Sequence, residues 1–167
     1  MKKFLKFSGA VAFVLALVAF ILLMATTGVF YKYGNNQYNY EGTVVLFGAT
    51  KETWLGTSTI HPAWTGLVGW ILVIVAMVIL LAGVILPLLK VKALDKFAGI
   101  LNLVAVCALI AGGVLVFFSK AALCTANEWT QDDAHLGAGW VVAGILAILG
   151  GVVAILPAAV AFIEKKK

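Results

Sequence analysis

The side chains in this chain that could do chemistry are few, and their spacing is loose. Glu128, Asp132, Asp133 and His135 share one short polar stretch, and carboxylates with an imidazole are groups that a divalent cation accepts. The order lacks EF-hand spacing and holds no pair of histidines a helical turn apart, so the stretch reads as a solvated acidic loop. His61, beside Pro62, reads as a loop residue as well. Cys107 falls in the middle of an apolar run and Cys124 beyond its end, too far apart for an easy bridge. Cys124 is therefore expected as an unpaired thiol open to reagents from outside, and no metal or cofactor is expected.

The absences narrow function further. Proton-coupled transporters, voltage sensors and intramembrane enzymes place ionisable groups inside the bilayer. Here the apolar runs contain no Asp, Glu, Lys, Arg or His, and Asn102 is the one amide within them. An amide at that depth is expected to bind a neighbouring helix by hydrogen bonding. With no phosphate loop, nucleophile elbow, paired cysteines or helical metal-ligand pair, a non-enzymatic protein is expected.

Those apolar runs cover roughly residues 7–30, 64–89, 97–118 and 136–163. Each exceeds the ~20 residues that a helix needs to cross the hydrocarbon layer. With 63% apolar residues and a mean hydropathy of +1.10, the chain reads as one membrane domain, an all-α bundle of four transmembrane helices in two tandem hairpins. The first run is too long for a cleavable leader, whose apolar part is typically ~7–15 residues, and is expected as a retained span.

The basic residues are all lysines, and they cluster at Lys2, Lys3 and Lys6, at Lys90, Lys92 and Lys96, and at Lys165, Lys166 and Lys167. By the positive-inside rule both termini and the 90–96 loop are cytoplasmic, in a cytoplasmic membrane, while loops 31–63 and 119–135 face outward. The net charge of +5 thus reflects orientation and attraction to lipid headgroups. Without a folded basic domain or interleaved aromatics, nucleic acid is not an expected partner.

Gly69-Trp70 and Gly139-Trp140 stand in the same register as Ile85-Leu86-Pro87 and Ile155-Leu156-Pro157, which suggests a parallel repeat of two hairpins. Pro87 and Pro157 are expected to bend their helices near the cytoplasmic face. Packing between helices in lipid relies on small residues, and Gly139, Ala143, Ala147 and Gly151 make such a stripe on the fourth span. Spans one, three and four are expected in the tightest contact. Trp64, Trp70, Trp129 and Trp140 are expected as anchors at the outer interface.

The first outer loop is the one large enough to fold. Its stretch 38–47 is rich in β-branched and aromatic residues, and 48–53 carries turn chemistry. A small hairpin is expected, supported by the second loop, the membrane or another subunit. Tyr38, Tyr40, Phe47 and Trp54 are its candidate partner surface, and Tyr31 and Tyr33 join Tyr38, Tyr40 and Trp54 as a candidate recognition patch.

The layout of inside termini, a larger β-prone first loop and a smaller second one resembles that of claudin-like tetraspans. The resemblance is one of topology only, because Trp54 is not followed by Gly-Leu-Trp and a cysteine pair. The Met-Lys-Lys start and all-lysine usage resemble those of uncharacterised small four-span membrane proteins of bacteria, a likeness that implies no activity. The expected function is that of a structural or accessory subunit, acting through its first outer loop and helix faces on a protein partner, a second copy or membrane lipids. The alternative is a channel or transporter component for a neutral or apolar solute.

Overall fold

The computed structural model describes residues 2–53, 56–88 and 98–164; Trp54 and the 90–96 loop lie outside the described residues. Four helices are long and apolar enough to cross a membrane: α1 (Lys2–Ala25), α3 (Trp64–Leu88), α4 (Ala98–Phe117) and α6 (Ala138–Glu164). They form a ring in chain order, and α1 and α4, like α3 and α6, stand diagonally apart. The chain is an integral membrane protein built on an all-α four-helix bundle.

Residue size sorts the helix faces. On α1, Ala12, Ala16, Ala19 and Leu23 point inward, whereas Val14, Val18 and Ile21 point out. On α6, Ala143, Ala147, Ala154 and Ala158 are buried, with Val142, Ile145, Leu149 and Val152 outside. Lipid tails are as apolar as a protein interior, so nothing drives large side chains inward, and close backbone approach decides the interface.

Two neighbouring glycines on α4 show this most clearly. A Cβ at Gly112 would stand 2.9 Å from the Gly69 carbonyl oxygen of α3, and one at Gly113 would stand 2.7 Å from the Gly144 carbonyl oxygen of α6. One α4 turn thus touches two helices. The tightest pairs are α4 with α6 and α1 with α6, followed by α3 with α4. The expected mutual contact of spans one, three and four is corrected to this extent: α6 meets both partners, but α1 and α4 are diagonal.

The described residues of the two longer loops, 27–53, 56–63 and 118–137, fold at one end of the bundle as a cap. Strand β1 (Thr27–Tyr33) pairs antiparallel with β2 (Asn36–Glu41) and, on its other edge, with β5 (Ala134–Leu136) from the second loop. A separate two-stranded sheet joins β3 (Ala49–Thr53) to β4 (Gly56–Ile60). Between the two sheets lies a short helix α2 (Gly42–Phe47), and after α4 a break at Phe118 leads into α5 (Ser119–Ala126).

Several boundaries differ from the sequence expectation, each for a tertiary reason. The first span ends at Ala25 rather than residue 30, because residues 27–33 are claimed by two neighbouring strands. Residues 42–47 are helical despite their β-branched character, since α2 buries Val45 and Leu46 against the bundle. Residues 49–53, expected as a turn, form β3. Helix α6 runs on past Pro157 to Glu164, and Pro87 lies in the last turn of α3.

Candidate functional site

The junction between bundle and cap is built around Trp140. Its side chain is completely buried, and its indole N–H donates to the Leu23 carbonyl at 3.1 Å. Carbonyls in the last turn of a helix have no partner within that helix, and here α1 ends inside the protein. The Thr26 hydroxyl covers the Leu22 carbonyl at 2.7 Å, and the Gly42 N–H covers that of Thr26 at 2.9 Å. The indole lies in a slot that only glycine leaves open. A Cβ at Gly28 would be 3.0 Å from its Cε2, and one at Gly66 would be 3.1 Å from its Cζ3. The expectation of a lipid-interface anchor at Trp140 is thereby corrected, because a fully buried ring meets no headgroup.

The two loops are joined at three places in the cap. The β1–β5 pairing is the first. In the second, Trp129 of the second loop stacks on Tyr31 and Tyr40 of the first, with ring centroids 4.7 and 4.9 Å apart. Trp129 is therefore a cap residue rather than a membrane anchor, again a correction. In the third, the Asn127 carboxamide accepts from the His61 N–H at 2.8 Å and donates to the His61 carbonyl at 3.0 Å. Hairpins alone are marginal in water, and here the second loop supplies the support.

A cleft of about 730 Å³ opens between these parts. Tyr31, Tyr33, Tyr38 and Tyr40 form one wall, residues 58–61 another, and residues 126–130 a third. Burial and the nearby Tyr38 and Tyr31 push the Tyr40 hydroxyl above the usual tyrosine range, so it is a neutral donor and acceptor at physiological pH. Among the described residues, Glu128 is the one carboxylate in the lining, and no lysine lines it.

The candidate partner residues divide. Tyr38 and Tyr40 line the cleft, Tyr38 largely exposed and Tyr40 half-buried under Trp129. Phe47 lies elsewhere, edge-on to Trp70 at 5.4 Å, while Trp70 stacks on Phe20 at 5.8 Å. Trp64 is 62% exposed where α3 begins. The small stripe of α6 is in the interior: Ala143, Ala147 and Gly151 are buried, and Gly139 fits against Thr26. Asn102 faces α3, with its Oδ1 3.6 Å from where a Gly83 Cβ would be, and no hydrogen bond joins it to another described residue.

The second-loop acids do not converge. Asp132 and Asp133 lie on a 3-10 turn and His135 on β5, and among the described residues no three His, Cys, Asp or Glu gather as for a metal. Cys107 is exposed on the lipid-facing side and Cys124 is buried in α5. This corrects the expectation that Cys124 is open to reagents. Burial also raises the Cys124 thiol above the ordinary range, with Lys120 pulling weakly the other way.

What sequence reasoning missed is the pair of walls that face the tyrosines, residues 58–61 and residues 126–130. Tyr31, Tyr33, Tyr38 and Tyr40 alternate along the chain inside the expected first outer loop, the period-2 signal of one strand face. No protein-family model matches the chain, and no curated protein matches it.

Proposed function

We propose that this integral membrane protein is a non-enzymatic accessory subunit that docks a partner protein on its cap. The observation that carries this reading is the composite cleft: both loops are spent on building one aromatic, water-facing concavity on a bundle whose described interior is packed with alanine, valine, leucine and Trp140. Aromatic side chains with neutral hydroxyls are what protein interfaces concentrate at their centres. Helix α1 begins at Lys2 and α6 reaches Glu164 at the end of the bundle away from the cap, and the lysine-rich sequence at those two places supports cytoplasmic termini and a cap outside the cell.

The test is co-purification from native membranes, comparing wild type with a Tyr33→Ala/Tyr38→Ala double variant. Both rings are largely exposed, at 69% and 46%, so the cap is expected to fold normally while its partner is lost. Val78→Ala, on the lipid-facing side at 62% exposure, is the control. A partner set lost with Val78→Ala and kept by the tyrosine variant would move the docking surface to the helix faces.

A further inference from the structure

The lining of the cleft follows a pattern that specifies its occupant. The β1–β2 hairpin contributes alternate residues, Tyr31 and Tyr33 from one strand and Tyr38 and Tyr40 from the other. From β4 and its continuation, the consecutive residues Ser58, Thr59, Ile60 and His61 all reach it. Side chains alternate across a strand, so alternate lining marks a sheet face and consecutive lining marks a strand edge. One wall is thus an aromatic face and another is main chain. Among the described residues, strand β4 is paired with β3 alone, which leaves the second edge of residues 57–60 without a strand.

Asn127 shows how that edge binds. Its carboxamide exchanges with His61 the same two bonds that a residue on an adjacent antiparallel strand would make. In extended chain, the main-chain groups of every second residue point to one side. Thr59 and Thr57 therefore present their N–H and C=O groups on the side where Asn127 sits, while Ser58 and Ile60 turn theirs toward Lys51 and Ala49 of β3. An unprotected strand edge is a template for another chain, and Asn127 fills only its last position.

We propose that the cleft takes an extended peptide segment of a partner protein, added as a strand along residues 57–61, with alternate apolar or aromatic side chains lying on the tyrosine face. Strand addition draws affinity from main-chain bonds and selectivity from alternate side chains. Glu128, the one carboxylate among the described lining residues, which include no lysine, selects a segment with a lysine or arginine at the Asn127 end. This inference rests on the reading that the cap docks a protein.

The test uses a phage-displayed library of random heptapeptides panned on the full-length protein in lipid nanodiscs, with enriched peptides then synthesised. Thr59→Pro removes one N–H from the free edge and leaves those of Ser58 and Ile60 for β3, a position where an edge strand tolerates proline. Enriched peptides are expected to carry a basic residue and to bind this variant roughly tenfold more weakly. N-methylation of alternate peptide amides is expected to abolish binding to the wild-type protein in one register and spare it in the other, which holds the test open even if Thr59→Pro misfolds. Failure to enrich any peptide, or equal loss in both registers, would overturn the proposal. So would a cap-to-cap dimer in detergent that Thr59→Pro dissolves, since the occupant would then be a second copy. A partner set lost with the tyrosine variant but kept by Thr59→Pro would overturn strand addition alone; retention by both would also remove the docking reading.

Discussion

In the bundle, helices meet where side chains are smallest, at Gly69 against Gly112 and Gly113 against Gly144, whereas in the cap the two loops meet where side chains are largest, at Trp129 over Tyr31 and Tyr40. The surrounding solvent explains the difference. Lipid offers no reward for hiding apolar groups, so the bundle gains from dispersion at close backbone contact and turns many of its valines and isoleucines outward. Water does reward burial, and a cap too small for its own core must stack aromatic rings across loops and fasten main chain with Asn127. Trp140 belongs to both regimes, being a large ring set in a slot between glycines.

The largest effect is therefore expected at Trp140. Its replacement by alanine empties the slot and leaves the Leu23 carbonyl without its donor, and large-to-small changes of this kind cost about 3–5 kcal/mol in well-packed interiors. Trp70→Ala should cost clearly less, since that ring is half-buried and its N–H has no partner among the described residues. Thermal unfolding in detergent separates them; equal shifts would break the distinction between a shared junction and an ordinary aromatic contact.

Next in size is the bundle's dependence on small residues. Gly113→Leu, or Ala147→Leu at a site 1% exposed, is expected to destabilise by about 1–3 kcal/mol through overpacking. Leu149→Ala, on the lipid-facing side, should leave the melting temperature nearly unchanged. The reverse order would mean that large apolar contacts hold the bundle after all.

A smaller and more local effect is expected from Asn127→Ala. Losing the two bonds to His61 costs about 1–2 kcal/mol, and amide exchange should quicken in β4 and α5 while the transmembrane helices keep their protection. Acceleration throughout the molecule would show that cap and bundle form a single cooperative unit.

The smallest effect concerns Cys124. Since burial raises its thiol, the folded state favours the protonated form; this contribution is complete below the unfolded thiol value and fades as pH climbs past about 8.5. An impermeant maleimide should label it slowly at neutral pH and faster as pH rises, and Asn127→Ala should speed the reaction. Rapid labelling of the wild-type protein at neutral pH would show that α5 opens freely.

Much of the bundle was legible because hydropathy and small-residue spacing are local properties. The stripe from Gly139 to Gly151 lies inside, and each span was placed within a few residues except where α1 stops. That end was hidden because Thr27, Val29 and Phe30 are apolar enough for a span yet β-prone enough for a strand, and only pairing with residues 36–41 and 134–136 decides between them. The register shared by Trp70 and Trp140 was visible, but their roles were not. One ring packs among phenylalanines and the other closes the junction, a difference set by neighbours far away in the chain. The cleft was illegible for the same reason: Asn127 meets His61 across 66 residues.

The ring of helices also has a consequence for biogenesis. A chain is made from its N-terminus onward, and the first hairpin, α1 with α3, is the loosest of the adjacent helix pairs. The main neighbour of α1, the donor for its Leu23 carbonyl and the strand that flanks β1 all come from residues beyond 133. Until the ribosome has delivered that last segment, the early helices and the first loop are half-built, and an insertase or chaperone able to shelter them is what their assembly calls for.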